Sequence, residues 1–378
     1  MTPHGVATVA RQEFRLRIRA GRWKWLLGIW FAVLLLFTGL LRGALGGFSR
    51  QRVEDKGVVI YGGLMLFVLG LALLVVPALA AQSVNGDRER GTLATLQVTR
   101  LSAGDICLGK FAAAWGTSLV FLALTIPLIG YAVTQGGVRI GRVLVVTVVL
   151  ALLLGTVCAI ALALSALLAR TTTSAVLAYL AVFGLTIGTA ITFGLATAIT
   201  TEKYTATYTD ACPAPSSLPS DLPQSQRDTI LASCGKTQTY QETRSRTDRT
   251  WWLLAPNPFV ILADAAPQLP PLTAAQRRQR QADEQRGIFR QDARNIDPLG
   301  GLGRAVRSLR KPPTPTVRSV GSYSQETLTT QRPTREQRRP VWPWGLAADV
   351  LLAGLSLWVT ARRLATPSRT LPKGQRVA

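Results

Sequence analysis

The sequence predicts an all-α integral membrane protein with six transmembrane helices. The 378-residue chain is 48% hydrophobic yet carries a net charge of +23, and its apolar residues gather in long runs. Charged residues stand mainly at the ends of those runs, with residues 201–343 as the exception. A bilayer core about 30 Å thick requires roughly 20 helical residues. Because a segment inside lipid must satisfy its own backbone hydrogen bonds, we expect the runs to be helices.

Six apolar segments meet or approach the length needed to cross a bilayer. The sixth is the shortest and contains an acidic residue, Asp349. The first is longer than the apolar core of a signal peptide and no small-residue cleavage site follows it cleanly, so we interpret it as a retained span. The predicted spans are residues 23–41, 58–84, 107–133, 143–169, 174–200 and 344–360.

The distribution of basic residues predicts the orientation of the spans. Cytoplasmic flanks of membrane proteins are enriched in Lys and Arg. If both termini of a plasma-membrane protein face the cytoplasm, the inner flanks hold fourteen Lys and Arg and the short outer flanks hold six. We expect no nucleic-acid partner, because the charge lies at membrane flanks and in one long loop. The inner flanks are residues 1–22, 85–106, 169–173 and 361–378, and the outer flanks are residues 42–57 and 135–142.

Residues 1–22 are predicted to form an interfacial helix on the inner membrane surface. Arg11, Arg15, Arg19 and Arg22 recur at helical spacing, and apolar residues fall on a neighbouring face. This arrangement turns basic side chains toward lipid headgroups, so membrane lipids are an expected partner. The alternation of apolar and basic residues over 14–19 also fits a strand. The adjoining span favours the helix.

A long insert between the fifth and sixth spans differs in composition from the rest of the chain. Three parts result: a membrane part at 1–200, an extracytoplasmic insert at 201–343, and the sixth span with a cytoplasmic tail at 344–378. Pro, Thr, Ser, Gln and Arg dominate the insert. Cys212 and Cys234 lie in it, and an oxidising exterior would allow them to form a disulfide.

One apolar stretch of the insert, residues 251–262, is too short and too rich in proline to cross the membrane. Its tryptophans, Trp251 and Trp252, are of the type enriched at membrane interfaces. The stretch also contains Asn257 and Pro258. We expect it either to enter the outer leaflet as a re-entrant element or to pack against the outer ends of the spans.

No familiar enzyme site is visible in the sequence. The chain has one histidine, His4, and no His/Cys group has the spacing of a zinc site. Residues 104–110 match the pattern G-x-x-x-x-G-K, but Phe111 follows where a P-loop requires Ser or Thr. We therefore expect no catalysis and no cofactor in this chain. Asp349 is interpreted as a structural carboxylate, with a functional role as the alternative.

The loop between the second and third spans carries the most informative motif. Charged residues come first, then Gly-Thr and two leucines at helical spacing, and the threonine can cap a short helix. A helix held between two spans could pass a push from a soluble partner to both, although a plain solvated connector fits the spacing equally well. The residues concerned are Asp87, Arg88, Glu89, Arg90, Gly91, Thr92, Leu93 and Leu96.

This loop resembles that of the type 2 ABC exporter permeases. In that family an acidic-Arg-Glu-x-Gly-Thr-Leu motif precedes a short helix, and a late Gly-Lys opens the third span. Residues 87–93 match the motif, and Gly109 and Lys110 match the Gly-Lys. Ala94 and Arg100 depart from the family pattern and leave the detailed shape of the short helix open.

The resemblance covers residues 1–200 and 343–365 and extends poorly into the insert, where Asn257-Pro258 resembles an Asn-Pro pair of the family. It implies that residues 85–106 contain a coupling helix that docks on a separate ATP-binding subunit. ATP and magnesium would belong to that subunit, and two permease copies, a homodimer or a pair with a second permease, would form the pathway. The scarcity of charge in the spans favours export of a hydrophobic or amphipathic substrate.

The alternative interpretation is a non-transporting membrane scaffold or sensor. Its extracytoplasmic insert would bind a partner, and the loop at 85–106 would be a plain connector. The two functions differ in one requirement, because only a permease needs this loop to hold an ATP-binding chain.

Overall fold

A computed structural model shows the chain as two compact units, each described separately here. The first comprises residues 1–190, 254–306 and 340–378, and the second comprises residues 191–253 and 307–339. The residues that the structure describes are 2–19, 21–47, 52–53, 55–89, 91, 101–210, 223–226, 229, 237–269, 273–286, 290–291, 296–311, 317–320 and 340–365.

Helices dominate the described residues. In chain order they are α1 (Pro3–Arg19), α2 (Arg22–Gly47), α3 (Lys56–Ala81), α4 (Asn85–Glu89), α5 (Ala103–Ala123), α6 (Ile126–Thr134), α7 (Ile140–Leu167), α8 (Thr171–Phe183), α9 (Thr189–Ile199), α10 (Thr247–Thr250), α11 (Pro258–Ala265), α12 (Ala274–Gln285), α13 (Pro298–Ser308) and α14 (Trp342–Leu364). A π turn (Gly184–Gly188) joins α8 to α9, and a 3-10 turn (Trp251–Leu254) follows α10. The strands are β1 (Arg52–Val53), β2 (Thr201–Asp210), β3 (Thr237–Ser245), β4 (Arg290–Gln291) and β5 (Val317–Val320).

All six predicted spans are confirmed as helical segments long and apolar enough to cross a membrane. Each differs from its predicted bounds by a few residues. The sixth, the shortest prediction, is a helix of 23 residues and therefore exceeds the length that a bilayer core requires. The spans are TM1 (Trp23–Gly46), TM2 (Lys56–Glu89), TM3 (Ala103–Thr134), TM4 (Ile140–Leu167), TM5 (Thr171–Ile199) and TM6 (Trp342–Leu364).

Three of the spans are interrupted. TM2 turns at residues 82–84 before α4, and TM5 contains the π turn. TM3 breaks between α5 and α6, where Thr125 donates a hydrogen bond from Oγ1 to the Leu122 carbonyl at 2.6 Å. Pro127 falls in the first turn of α6, where its missing N–H leaves no helical bond unmade.

TM2 and TM4 form the centre of the first unit. In the most apolar part of each of these two spans, more than half of the residues are buried, 56% in TM2 and 61% in TM4. The buried share is 17% in TM1, 11% in TM5 and 22% in TM6. Both central spans are apolar all round, which suits helices enclosed by other helices. The largely exposed apolar surfaces of TM1, TM5 and TM6 suit contact with lipid chains.

Helix α1 confirms the helical interpretation of the N-terminus and excludes the strand. It packs along the start of TM3, where a Cβ on Gly109 would lie 2.6 Å from the Val9 Cβ, so this close approach requires glycine. Asp105 forms a capping box with Ser102 and also accepts a hydrogen bond from the Thr2 N–H at 2.8 Å. These contacts fix α1 to TM3, and its position on a membrane surface stays a prediction.

The second unit contains a three-stranded sheet that the sequence analysis did not predict. Strand β2 pairs antiparallel with β3 and parallel with β5. Beside it, Arg246 donates two hydrogen bonds of 2.9 Å to the Asp248 carboxylate and one of 2.5 Å to Glu202. The Arg246 guanidinium lowers the pKa of Asp248. The all-α prediction is therefore wrong for the insert, whose described residues form both helices and strands.

Two cysteines can be placed. Cys107 and Cys158 lie in TM3 and TM4, where both are buried and free. Cys212 and Cys234 lie outside the described residues, so their predicted disulfide stays a prediction.

Candidate functional site

The loop motif begins as a short helix wedged against the end of TM4. Backbone N–H groups of Val84 and Asn85 donate to the Ser165 hydroxyl at 3.2 and 3.1 Å. These amides lie at the N-terminal end of α4, where backbone N–H groups need acceptors from outside the helix. Asn85 is completely buried. The start of the loop is therefore fixed to TM4.

Lys110 of TM3 joins three parts of the chain. Its side chain is completely buried, and its ammonium group forms ion pairs with Asp87 of α4 and with Glu13 of α1, the latter at 2.5 Å. It also donates to the Ser83 carbonyl at 3.0 Å. An ammonium group has three N–H donors, and here each has an acceptor. Burial of this charge is thus compensated by two carboxylates and one carbonyl.

The next two motif residues reach TM4 and TM5. Arg88 donates to the carbonyls of Ala166 and Leu168 at 3.3 and 3.1 Å, at the C-terminal end of TM4. Glu89 accepts from the Thr171 N–H at 3.4 Å, at the N-terminal end of TM5. A helix dipole favours a cation at its C-terminus and an anion at its N-terminus. Each charge therefore lies at the helix end that stabilises it.

An arginine of α1 also lies beside this cluster. Arg17 donates to the Thr117 hydroxyl of TM3 at 3.5 Å. Burial lowers the pKa of the Arg17 guanidinium, and the nearby Glu13 carboxylate opposes that shift. We call the contacts of Glu13, Asp87, Arg88, Glu89 and Lys110 the loop junction.

The predicted coupling residues divide into two groups. Asp87 and Arg88 point into the first unit, and Asp87 is 7% exposed. Glu89 and Gly91 are exposed, and Gly91 ends α4 with a positive φ of 69°, a conformation that favours glycine. The remaining four, Arg90, Thr92, Leu93 and Leu96, lie outside the described residues.

Sequence reasoning missed Glu13 and Ser165 as partners of the motif. Glu13 could have been singled out from the sequence, because it is the one acidic residue among the basic residues 1–22. Ser165 could not, since a serine near the end of an apolar run usually forms its hydrogen bond within its own helix.

A second junction lies where the insert meets the spans. Asn257 caps α11 by accepting from the Phe259 N–H at 3.0 Å. Its amide group donates to the Thr186 carbonyl at 2.7 Å and to the Thr189 hydroxyl at 2.9 Å. Thr186 belongs to the π turn of TM5, a type of distortion that often lies at functional sites, and Thr189 follows it as the first residue of α9. Asn257 therefore fastens α11 to TM5.

Helix α11 also determines where TM6 begins. The Asp264 carboxylate accepts from the N–H groups of Val341 and Trp342 at 2.5 and 2.8 Å. Gly345 of TM6 is so close to Ala255 that a Cβ would lie 1.9 Å from the Ala255 carbonyl oxygen. Residues 254–262 of the predicted stretch thus pack against spans, whereas Trp251 and Trp252 belong to the second unit. The re-entrant element in the outer leaflet stays a prediction.

A buried ion pair attaches a further part of the insert to TM4. Arg142 and Asp297 lie 2.6 Å apart, and their side chains are 3% and 1% exposed. Two donors of Arg142 and one oxygen of Asp297 have no hydrogen-bond partner among the described residues. We call the contacts of Arg142, Asn257, Asp264, Asp297 and Gly345 the insert junction.

The other residues singled out in the sequence lie elsewhere. Trp251 and Trp252 belong to the second unit, where Trp251 stacks under Arg310 at 4.8 Å and Trp252 is exposed. Asp349 is buried in TM6, and its backbone carbonyl accepts from Thr156 at 3.5 Å. Among the described residues, no three His, Cys, Asp or Glu side chains could together hold a metal ion.

Comparison with known families assigns this architecture to a class of transporter. Residues 7–262 match the family described as ABC-2 family transporter protein. The chain belongs to this family of ABC transporter permeases, and it is a multi-pass membrane protein. The match extends into the insert beyond residue 200 and stops before TM6, which differs from the resemblance based on the loop motif. No curated protein and no solved structure matches the chain.

Proposed function

We propose that the chain is the membrane subunit of an ATP-driven exporter whose ATP-binding subunit is a separate chain. ATP and magnesium are bound by that partner, which docks on residues 85–106. Two permease copies, most simply a homodimer, enclose the pathway in the plasma membrane. The N- and C-termini face the cytoplasm, as the distribution of basic residues favours.

The loop junction is the observation that carries this proposal. Three consecutive motif residues each bind a different neighbour: Asp87 binds Lys110, Arg88 binds the end of TM4, and Glu89 binds the start of TM5. Lys110 extends the connection to α1 through Glu13. A force applied to this loop therefore acts on TM2, TM3, TM4, TM5 and α1 together. A plain connector requires no such set of contacts.

The motif then divides between two tasks. Asp87 and Arg88 position the loop inside the permease, since they face inward. Glu89 and Gly91 face outward, and together with Arg90, Thr92, Leu93 and Leu96 they meet the ATP-binding chain. ATP binding draws two such chains together, moves the docked loops, and the attached spans open the path between the permease copies.

The expected substrate is hydrophobic or amphipathic, because the spans offer few charges to a hydrophilic ion. ATP-dependent uptake into sealed inside-out vesicles tests both the class of substrate and the direction. Uptake of amphipathic fluorescent compounds supports the proposal. Transport restricted to a small hydrophilic ion, or uptake only into right-side-out vesicles, contradicts it.

Docking is tested by co-purification of the ATP-binding chain with the tagged full-length permease. Gly91→Pro removes the Gly91 N–H, which donates to the Arg88 carbonyl at 3.1 Å, and imposes a negative φ where the chain needs a positive one. Glu89→Lys reverses an exposed charge. We expect each variant to reduce co-purification and transport at least tenfold.

Arg139→Glu is the matched control, since Arg139 is also exposed and lies at the opposite end of TM4 from Arg88. It should leave co-purification unchanged. Full co-purification by both loop variants would instead support the scaffold or sensor, in which the insert binds the partner. Co-expression of two differently tagged permease copies separately tests the homodimer.

A further inference from the structure

Helix α1 has three distinct faces. At 100° per residue, Gly5, Val9 and Glu13 fall on the face packed against TM3. Phe14 and Ile18 fall on a second face. The third face is basic. A helix needs only one apolar face to pack on its protein, so the second, exposed apolar face requires a separate explanation.

The second face is apolar and exposed. Ile18 is 45% exposed, and Trp25, in the first turn of TM1, is 77% exposed. Phe14, one helical turn before Ile18, is partly buried. Tryptophan is enriched at the level of lipid headgroups. The exposed apolar side chains and this tryptophan are what a helix at the membrane boundary requires.

The third face is a basic stripe made of Arg11, Arg15 and Arg19, with His4 one step earlier on the same side. All four are exposed. The open surface along these residues also carries Ala7, Thr8, Gln12 and Leu16. The three guanidinium groups therefore lie along one exposed side of α1, next to side chains that can form hydrogen bonds.

We propose that this stripe is a binding site for the phosphate groups of anionic phospholipids. A guanidinium group presents paired donors that match phosphate oxygens. The apolar face beside it would take the first part of the acyl chains, whereas a soluble anion would gain nothing from that face. The arrangement thus selects a lipid of negative charge over both a zwitterionic lipid and a free phosphate ester.

The test is a lipid titration of the purified, delipidated full-length chain, followed by native mass spectrometry. Short-chain phosphatidylglycerol and phosphatidylcholine are compared as ligands. The triple variant Arg11→Gln, Arg15→Gln, Arg19→Gln should lose about a hundredfold in phosphatidylglycerol affinity, roughly fivefold for each charge. Phosphatidylcholine binding should not change. The phosphatidylglycerol affinity should also weaken as salt is added.

The control triple variant is Arg139→Gln, Arg277→Gln, Arg278→Gln, which removes three exposed arginines elsewhere and should lower affinity less than threefold. If the first triple variant fails to fold, Arg15→Gln alone carries the test, with about a fivefold loss expected. Unchanged phosphatidylglycerol affinity overturns the proposal. So does complete displacement of the lipid by an equal concentration of glycerol phosphate.

Co-purification of the ATP-binding chain is measured on the same variants. We expect it to be retained, which separates this inference from the proposed docking of residues 85–106. Retained lipid affinity with lost co-purification would instead identify the stripe as a protein contact and overturn the proposal.

Discussion

The loop junction and the insert junction both bury a cation against carboxylates, yet they differ in how fully its hydrogen bonds are made. Lys110 has three donors and three acceptors, and its burial is complete. Arg142 has one ion pair at 2.6 Å, while two of its donors are buried without a partner among the described residues. Removal of one partner of a buried ion pair is costly, whereas replacement of both partners by apolar residues often costs little. Because the hydrogen bonds of Arg142 are less complete than those of Lys110, we expect replacement of the whole pair to be better tolerated at the insert junction.

The largest effect is expected for Lys110→Met. Removal of the ammonium leaves the Asp87 and Glu13 carboxylates together without their shared cation. We expect the free energy of unfolding to fall by about 3–5 kcal/mol, measured in mixed micelles. Adding Asp87→Asn and Glu13→Gln should restore at least half of the loss. A loss below about 1 kcal/mol for Lys110→Met would remove the distinction between the junctions.

The insert junction is tested by Arg142→Met, alone and with Asp297→Leu. The single variant leaves a buried carboxylate and should cost about 3 kcal/mol. The double variant removes both charges together with their unsatisfied atoms. Its stability should return to within about 1 kcal/mol of the native protein or exceed it. A double variant as unstable as the single one would show that the pair is as fully stabilised as Lys110.

Close packing at the insert junction is tested within TM6. A methyl group on Gly345 would meet the Ala255 backbone, so Gly345→Ala should destabilise by about 1–3 kcal/mol. Gly354 lies in the same helix, with no atom within 4 Å of the added carbon. Gly354→Ala should therefore stabilise the helix by roughly 0.5–1 kcal/mol. Thermal unfolding of both variants in detergent gives the comparison, and equal shifts would contradict it.

The smallest effect concerns the two tasks of Asn257. Asn257→Ser keeps an oxygen able to cap α11 but is too short to reach the π turn of TM5. It should cost about 1 kcal/mol, the net value of a hydrogen bond. Asn257→Ala loses the cap as well and should cost about 2 kcal/mol. If serine and alanine prove equivalent in the same unfolding measurement, the cap contributes nothing.

The spans could be predicted because hydropathy is a local property of the chain. The buried Asp349 did not prevent TM6 from forming a helix of sufficient length. The motif residues of the loop junction, including Asp87 and Lys110, were found because they match a family motif, although their ion pair was not predicted. Their partner Glu13 is 97 residues from Lys110, and no pattern in a single sequence pairs them.

The insert junction was less accessible to prediction, because its contacts join residues far apart. Arg142 and Asp297 are separated by 155 residues, and Asn257 by 71 from Thr186. The Gly and Thr residues of TM5 fit close helix packing as well as a π turn. Strand β2 was missed because its polar sequence does not by itself predict a strand. The strand depends on pairing with β3 and β5, which lie elsewhere in the chain.

The contact of Asp264 with the start of TM6 has a consequence for how the protein can vary. Asp264 and Val341 are 77 residues apart in sequence. Their contact fixes the beginning of TM6 regardless of the length of the chain between them. Loop closure becomes only slightly more expensive with length, by about 0.6 kcal/mol for each doubling. The segment between Val320 and Pro340, which follows the last strand of the sheet, is therefore expected to lengthen, shorten or accept a foreign domain without shifting the start of TM6, which makes it the natural place for an affinity tag or reporter.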